Sequence, residues 1–236
     1  MKNTLKAACV LFVVATALMA CVNGKGDVTT ETLGLNGFTK IDHGIKGDVI
    51  LVKDDNQFVE VAAQQNIHDV LKVEVDGGTL KLRTKNGKSI GKYDELTFYV
   101  HAPFIEDVKI GGSGTVTGGN GITGARFTTK ISANGQLKMT DLDVDYTEVI
   151  ISGSGTAELS GHSDKSDFGV GSAGRVATFN LSSDVTNVQL KGNGSIETTT
   201  NVKLDVLISG SGGVYYKGNP QVVSKITGNG ILVKVN

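Results

Sequence analysis

Apolar and polar positions alternate along most of this chain, and in its second half a short glycine phrase punctuates the alternation seven times. The copies read GGSG (111–114), SANG (132–135), SGSG (152–155), GSAG (171–174), KGNG (191–194), SGSG (209–212) and TGNG (227–230), with final glycines 21, 20, 19, 20, 18 and 18 residues apart. Four residues before each final glycine stand Ile110, Ile131, Ile151, Val170, Leu190, Ile208 and Ile226. Two residues after stand Val116, Leu137, Ala157, Val176, Ile196, Val214 and Leu232. Both columns are apolar throughout, and the position six before is apolar in five of the seven copies. Positions six and four before share a strand face, because side chains alternate with a period of two. No helical period fits, since the core spacing is two around β-branched side chains with Gly and Asn between.

A unit of about 20 residues cannot bury its own apolar face, but stacked units can. The pattern predicts an all-β fold, a parallel β-helix or solenoid with one coil per repeat. At the interstrand spacing of about 4.8 Å its seven coils extend roughly 29 Å. The handedness of parallel crossovers predicts a right-handed coil. The glycines answer a sharp bend, which needs either a positive φ or a close backbone approach. Just before each final glycine comes Ser113, Asn134, Ser154, Ala173, Asn193, Ser211 or Asn229, a column expected to hydrogen-bond at the bends and to be weakest at Ala173. The phrases have no Walker ending and no following helix, so they do not read as phosphate cradles.

Residues 37–106 carry strand patterns without the strict period. Leu71–Val75, the turn Asp76-Gly77-Gly78 and Leu80–Leu82 predict a hairpin or bend, and Leu96, Phe98 and Val100 form another alternating face. Pro103 places Ala102–Phe104 at an edge or corner. These residues are expected to form irregular coils closing one end of a single β-helical domain over 37–236, with regular repeats over 107–236. Only Ile231–Asn236 follows the last phrase, so that edge offers a pairing surface to a second copy of the chain, with Lys234 and Asn236 as blunting residues.

The N-terminus changes the setting. Lys2 and Lys6 precede a 14-residue apolar run, Ala7–Ala20, too short for a stable bilayer span. Leu18-Met19-Ala20-Cys21 resembles the lipobox of bacterial lipoproteins. The resemblance implies a signal peptide over 1–20, cleavage before Cys21 and acylation of that cysteine, which makes the membrane a partner through the lipid. Cys9 leaves with the signal, so the folded body has no disulfide. Loss of Lys2 and Lys6 leaves 21 basic against 24 acidic side chains, a net charge of −3. That mild acidity argues against nucleic acid. Residues 21–36, polar and glycine-containing, read as a lipidated flexible tether.

Phe38-Thr39-Lys40-Ile41, Gly47-Asp48-Val49, Asp76-Gly77-Gly78-Thr79-Leu80-Lys81-Leu82 and Gly112-Ser113-Gly114 resemble the putative auto-transporter adhesin head domain family, over about 37–232. The resemblance implies a β-helical fold in the envelope of Bacteroidetes-type bacteria and a head held by lipid on the outer membrane, and it brings no established catalytic residues to carry over.

Candidate chemistry is sparse. His43, His68, His101 and His162 have no partner at metal-ligand spacing. Asp141, Asp143 and Asp145 form the best carboxylate set, a candidate calcium or ligand patch that Asp164 and Asp167 of the next coil are able to approach. The plainer reading is a solvated face over buried Leu142 and Val144. The chain has no Trp and five Tyr, a poor aromatic platform for sugars, with Tyr215-Tyr216 the one candidate patch. No Ser has a recognisable nucleophile context. The expectation is a non-enzymatic envelope lipoprotein without cofactors, serving adhesion, binding or structure toward an envelope protein or glycan. The alternative is a glycan-active enzyme or calcium-dependent glycan binder.

Overall fold

The computed structural model describes residues 20–236 apart from Gly87 and Asn120, so the expected signal peptide lies outside the described residues. The N-terminal part holds β1 (Ala20–Val22), β2 (Val28–Leu33), β3 (Lys40–His43), β4 (Asp48–Lys53), β5 (Phe58–Gln64), one helical turn α1 (Gln65–His68), β6 (Leu71–Asp76), β7 (Thr79–Thr84), β8 (Lys88–Ile90) and β9 (Leu96–Ala102). The repeat region follows as β10 (Asp107–Ile110), β11 (Thr115–Gly118), β12 (Thr123–Ile131), β13 (Gln136–Ile151), β14 (Thr156–Val170), β15 (Arg175–Leu190), β16 (Ser195–Ile208), β17 (Gly213–Lys217), β18 (Gln221–Ile226) and β19 (Ile231–Lys234).

Every pairing among β10–β19 is parallel, and each step joins residues one repeat apart. Ile131 lies beside Ile151, Ile151 beside Val170 and Val170 beside Leu190. The fold is therefore the parallel β-solenoid that the repeat predicts. The column four before the final glycine and the column two after it are buried in the first six copies. In the last copy Ser224 and Ile226 are exposed and Leu232 is half-buried.

The glycine phrase makes one bend of each coil, by close approach and not by a left-handed φ. A Cβ on Gly155 would stand 2.4 Å from the Gly135 carbonyl oxygen, and one on Gly194 would stand 2.1 Å from that of Gly174. None of the phrase glycines has a positive φ. The Ser/Asn column does not act as expected. Its side chains are exposed, and the bends are knit by main chain instead, as where Ser154 N and Gly155 N donate to Ala133 O at 3.1 and 3.0 Å. Ala173 is therefore no weak step.

A second bend falls inside the long strands, at register shifts between Met139 and Leu142, Glu158 and Ser160, and Thr178 and Ser182. Behind it the interior is lined by hydroxyls. Ser166 and Ser183 meet at 2.6 Å, and Thr200 donates to Thr186 at 2.8 Å, which satisfies groups that burial would otherwise leave costly.

The irregular half contributes further coils. β3 and β4 stack in register on β10 and β11, with His43 beside Ile110 and Val49 beside Val116, so GIKG (44–47) stands where the phrase GGSG (111–114) stands one coil on. β7 and β9 form the coil beyond. Antiparallel strands close that end: β6 on β7 through the expected turn, where Gly77 and Gly78 both have positive φ, and β5 on β9 with β2 outside it.

The flexible tether over 21–36 is corrected by this arrangement. β1 pairs with β8, and β2 pairs with six residues of β5. Asn23 accepts from Lys92 N at 2.9 Å and from Asn66 Nδ2 at 2.7 Å. Polar residues here are not slack, because an edge strand with one solvated face needs few apolar side chains to cover its neighbour.

Candidate functional site

The stacking of coils turns single residues into columns running along the solenoid axis. Seven residues before each final glycine, on the outer face, stand Glu148, Asp167, Asn187 and Asp205 in β13–β16, each beside the next in register. Two residues on stand Ile150, Gly169, Gln189 and Leu207. Together these columns form an open groove of ≈ 770 Å³ that continues to Val223 and Lys225 of β18, with Lys191 on its opposite margin.

Two of its three carboxylates are held in place. Asp167 accepts from the Tyr146 hydroxyl at 2.7 Å and from Asn187 Nδ2 at 2.6 Å, and Lys165 Nζ lies 3.7 Å away. Asp205 is paired with Lys203 at 2.7 Å. Burial, and then the bond to Asp167, push the Tyr146 hydroxyl well above its ordinary range, so it stays protonated and donating. Lys165 also lies over the Tyr146 ring, 5.5 Å from its centre.

Asp141, Asp143 and Asp145 do not assemble into one patch. Asp141 sits at the second bend with φ 58°, where the register shift breaks the strict alternation. Asp143 and Asp145 are exposed over buried Leu142 and Val144, as the plainer reading has it. Asp164 is drawn to His162 at 3.2 Å, and Asp167 belongs to the groove. Among the described residues, no group of three or more His, Cys, Asp or Glu side chains is placed to hold a metal ion.

The histidines are scattered. His43 is fully buried in a core column, with Nε2 3.0 Å from Gly47 O. His68 lies between Thr29 O at 3.0 Å and Glu31 at 3.5 Å, fastening α1 to β2. His101 stacks on Phe58 with ring centres 3.9 Å apart. Tyr215 and Tyr216 lie away from the groove, on β17, and Tyr216 packs against the core. Cys21 is exposed in β1 with a free thiol.

The inward positions of each copy give no sign of the groove. The outward columns carry the signal. Five before the final glycine the copies read Lys109, Lys130, Ile150, Gly169, Gln189, Leu207 and Lys225, in which apolar residues and one glycine interrupt a solvated face.

The comparisons agree with this architecture. No curated protein matches the chain. A crystal structure of a putative adhesin from Bacteroides fragilis NCTC 9343 superposes with a TM-score of 0.84 at 20% identity, covering 91% of this chain and 100% of that one. A putative adhesin from Parabacteroides distasonis ATCC 8503 gives 0.73 at 22% identity, covering 92% and 100%. A protein of the same organism described as a putative lipid binding protein gives 0.76 at 21%, also covering 92% and 100%. The family model for the putative auto-transporter adhesin, head GIN domain, matches residues 37–220, and the chain belongs to that family.

Proposed function

We propose that the protein is a lipid-anchored, non-enzymatic binding module of the bacterial cell envelope, held at Cys21 on the outer membrane and engaging its partner through the groove on β13–β16 and β18. The observation that carries this reading is the groove itself, an elongated surface open to solvent along several coils. Two of its carboxylates are fixed by neighbours, Asp167 by Tyr146 and Asn187 and Asp205 by Lys203. Such groups orient a partner's donors. Glycoside hydrolysis asks instead for a free acid and a free base or nucleophile flanking the scissile bond. Family membership and adhesin-like neighbours support an envelope setting. The basic start, the apolar run and Leu18-Met19-Ala20-Cys21 support the lipid anchor.

Two measurements test it. Metabolic labelling with an alkyne fatty acid is expected to tag the wild-type chain in the membrane fraction and to leave Cys21→Ser untagged; an untagged wild type retires the anchor. The Cys21→Ser chain, immobilised, is expected to retain a component from envelope polysaccharide and protein fractions; an empty eluate retires the binding role. Calcium is expected to leave the melting temperature unchanged, and a rise of several degrees would reinstate a site at Asp143 and Asp145.

A further inference from the structure

The groove contains two glycines for which the fold has no need. At the bends, a Cβ on Gly153, Gly155, Gly174, Gly192 or Gly194 would come within 2.4 Å of an atom of the preceding coil. Gly169 and Gly171 differ. Their nearest neighbours would stand 3.9 and 3.8 Å away, ordinary contact distances, and neither has a left-handed φ. Gly169 lies inside β14, where glycine weakens a strand and gives up packing. Strand-interior glycines stand at bulges, at tight bends or where a ligand approaches the backbone, and Gly169 keeps unbroken register with Ile150 and Gln189, which leaves the last.

We propose that the groove takes an extended neutral polysaccharide lying along the solenoid axis, one sugar per coil, with Gly169 admitting a ring against the backbone of β14. This assignment rests on the groove being the binding surface. From Glu148 to Val223 the groove crosses four coil steps, about 19 Å at the interstrand spacing. It offers an acceptor or amide at each of the first four coils, in Glu148, Asp167, Asn187 and Asp205. A β-1,4-linked hexopyranose chain advances by close to one interstrand spacing per sugar and turns over at each linkage, so every second ring meets equivalent groups at every second coil and the chain stays in phase with the coils. Their hydroxyls supply the donors that these carboxylates accept, and Ile150, one coil before Gly169, and Leu207, two coils after it, offer aliphatic surface to the C–H faces of the rings.

Other occupants fit less well. An extended peptide returns to the same side every two residues, about 6.6 Å, and falls out of phase with the coils. It would also cross the strands instead of following an edge, leaving its main chain unpaired. An anionic polymer would find Lys191 and Lys225, but would have to pass Glu148, Asp167 and Asp205 on three of the coils. An acyl chain would strip water from those carboxylates and return no donor.

The test uses the Cys21→Ser chain with cello- and chito-oligosaccharides of two to six sugars, and with a sulfated polysaccharide and a fatty acid as competitors of other chemistry. Calorimetry is expected to show affinity rising with length and levelling near four or five sugars. Gly169→Val and Gly171→Thr are expected to weaken binding about tenfold or more by filling the groove. Their melting temperatures should stand at or above that of the parent, which separates blocking from unfolding. Equal binding by Gly169→Val, binding of the sulfated polymer or fatty acid alone, or no neutral oligosaccharide bound would each overturn the assignment. If envelope material is retained equally by the parent and Gly169→Val, the binding role stands and only this placement falls. If the parent retains nothing, both fall.

Discussion

At the scale of single residues, the phrase glycines and the groove glycine should respond oppositely to one methyl group. Gly194→Ala drives a Cβ against the Gly174 carbonyl oxygen, main chain that has no room to yield. It should cost about 2–3 kcal/mol in urea unfolding. Gly169→Ala meets only ordinary contacts and should be neutral or stabilise by about 0.5–1 kcal/mol. His43 supplies a second residue-scale prediction. Burial holds it below the ordinary histidine value of 6.5, outweighing the Gly47 carbonyl that favours its charge. The unfolded chain therefore binds more protons between the folded pKa and 6.5. Stability is complete above 6.5 and falls as pH drops through that window. His43→Leu, which restores the aliphatic side chain that the corresponding position of later coils carries, should flatten the dependence of chemical denaturation midpoints on pH from 7 to 5. An unchanged slope would clear His43 of this role.

At the scale of elements, the inward columns were legible and the corners were not. Ile131, Ile151 and Val170 announce themselves because they repeat and are apolar. The second bend carries no fixed residue type: Asp141 makes it in one coil, and Gly161 with φ 122° in the next. The hydroxyls behind it look like surface residues until the coil closes over them. The coil formed by β3 and β4 was hidden for a related reason. Its phrase reads GIKG and its core position is His43, so an apolar search passes over it. The groove was partly legible, as the outward column containing Gly169 shows, but its neighbours across coils exist only once the register is known. The N-terminal strap illustrates the opposite failure, a polar segment that is ordered. β2 covers the outer edge of β5, whose Val59 and Val61 are buried. Removal of residues 21–36 should bare that edge, lower the melting temperature by several degrees and produce self-association on size-exclusion chromatography. A monodisperse truncation with an unchanged melt would show that β2 contributes nothing.

At the scale of the whole molecule, each coil touches only its neighbours, so stability is distributed along one dimension. The coils of β13–β16 have a covered face on both sides, whereas β18 and β19 leave Val223, Ile226, Ile231 and Val233 exposed. Amide exchange should accordingly be slowest in β14 and β15 and fastest in β18 and β19. Uniform protection along the repeats would mean that the chain opens only as a unit.

The order of residues 21–36 also bears on reach. If Cys21 carries the proposed acyl group, the body would begin at the lipid itself, because β1 is already bonded to β8. The groove then rides on the far coils at an elevation counted in strands. A relative that needed to stretch farther from its membrane would gain nothing from a longer linker at this point. It would have to insert another rung.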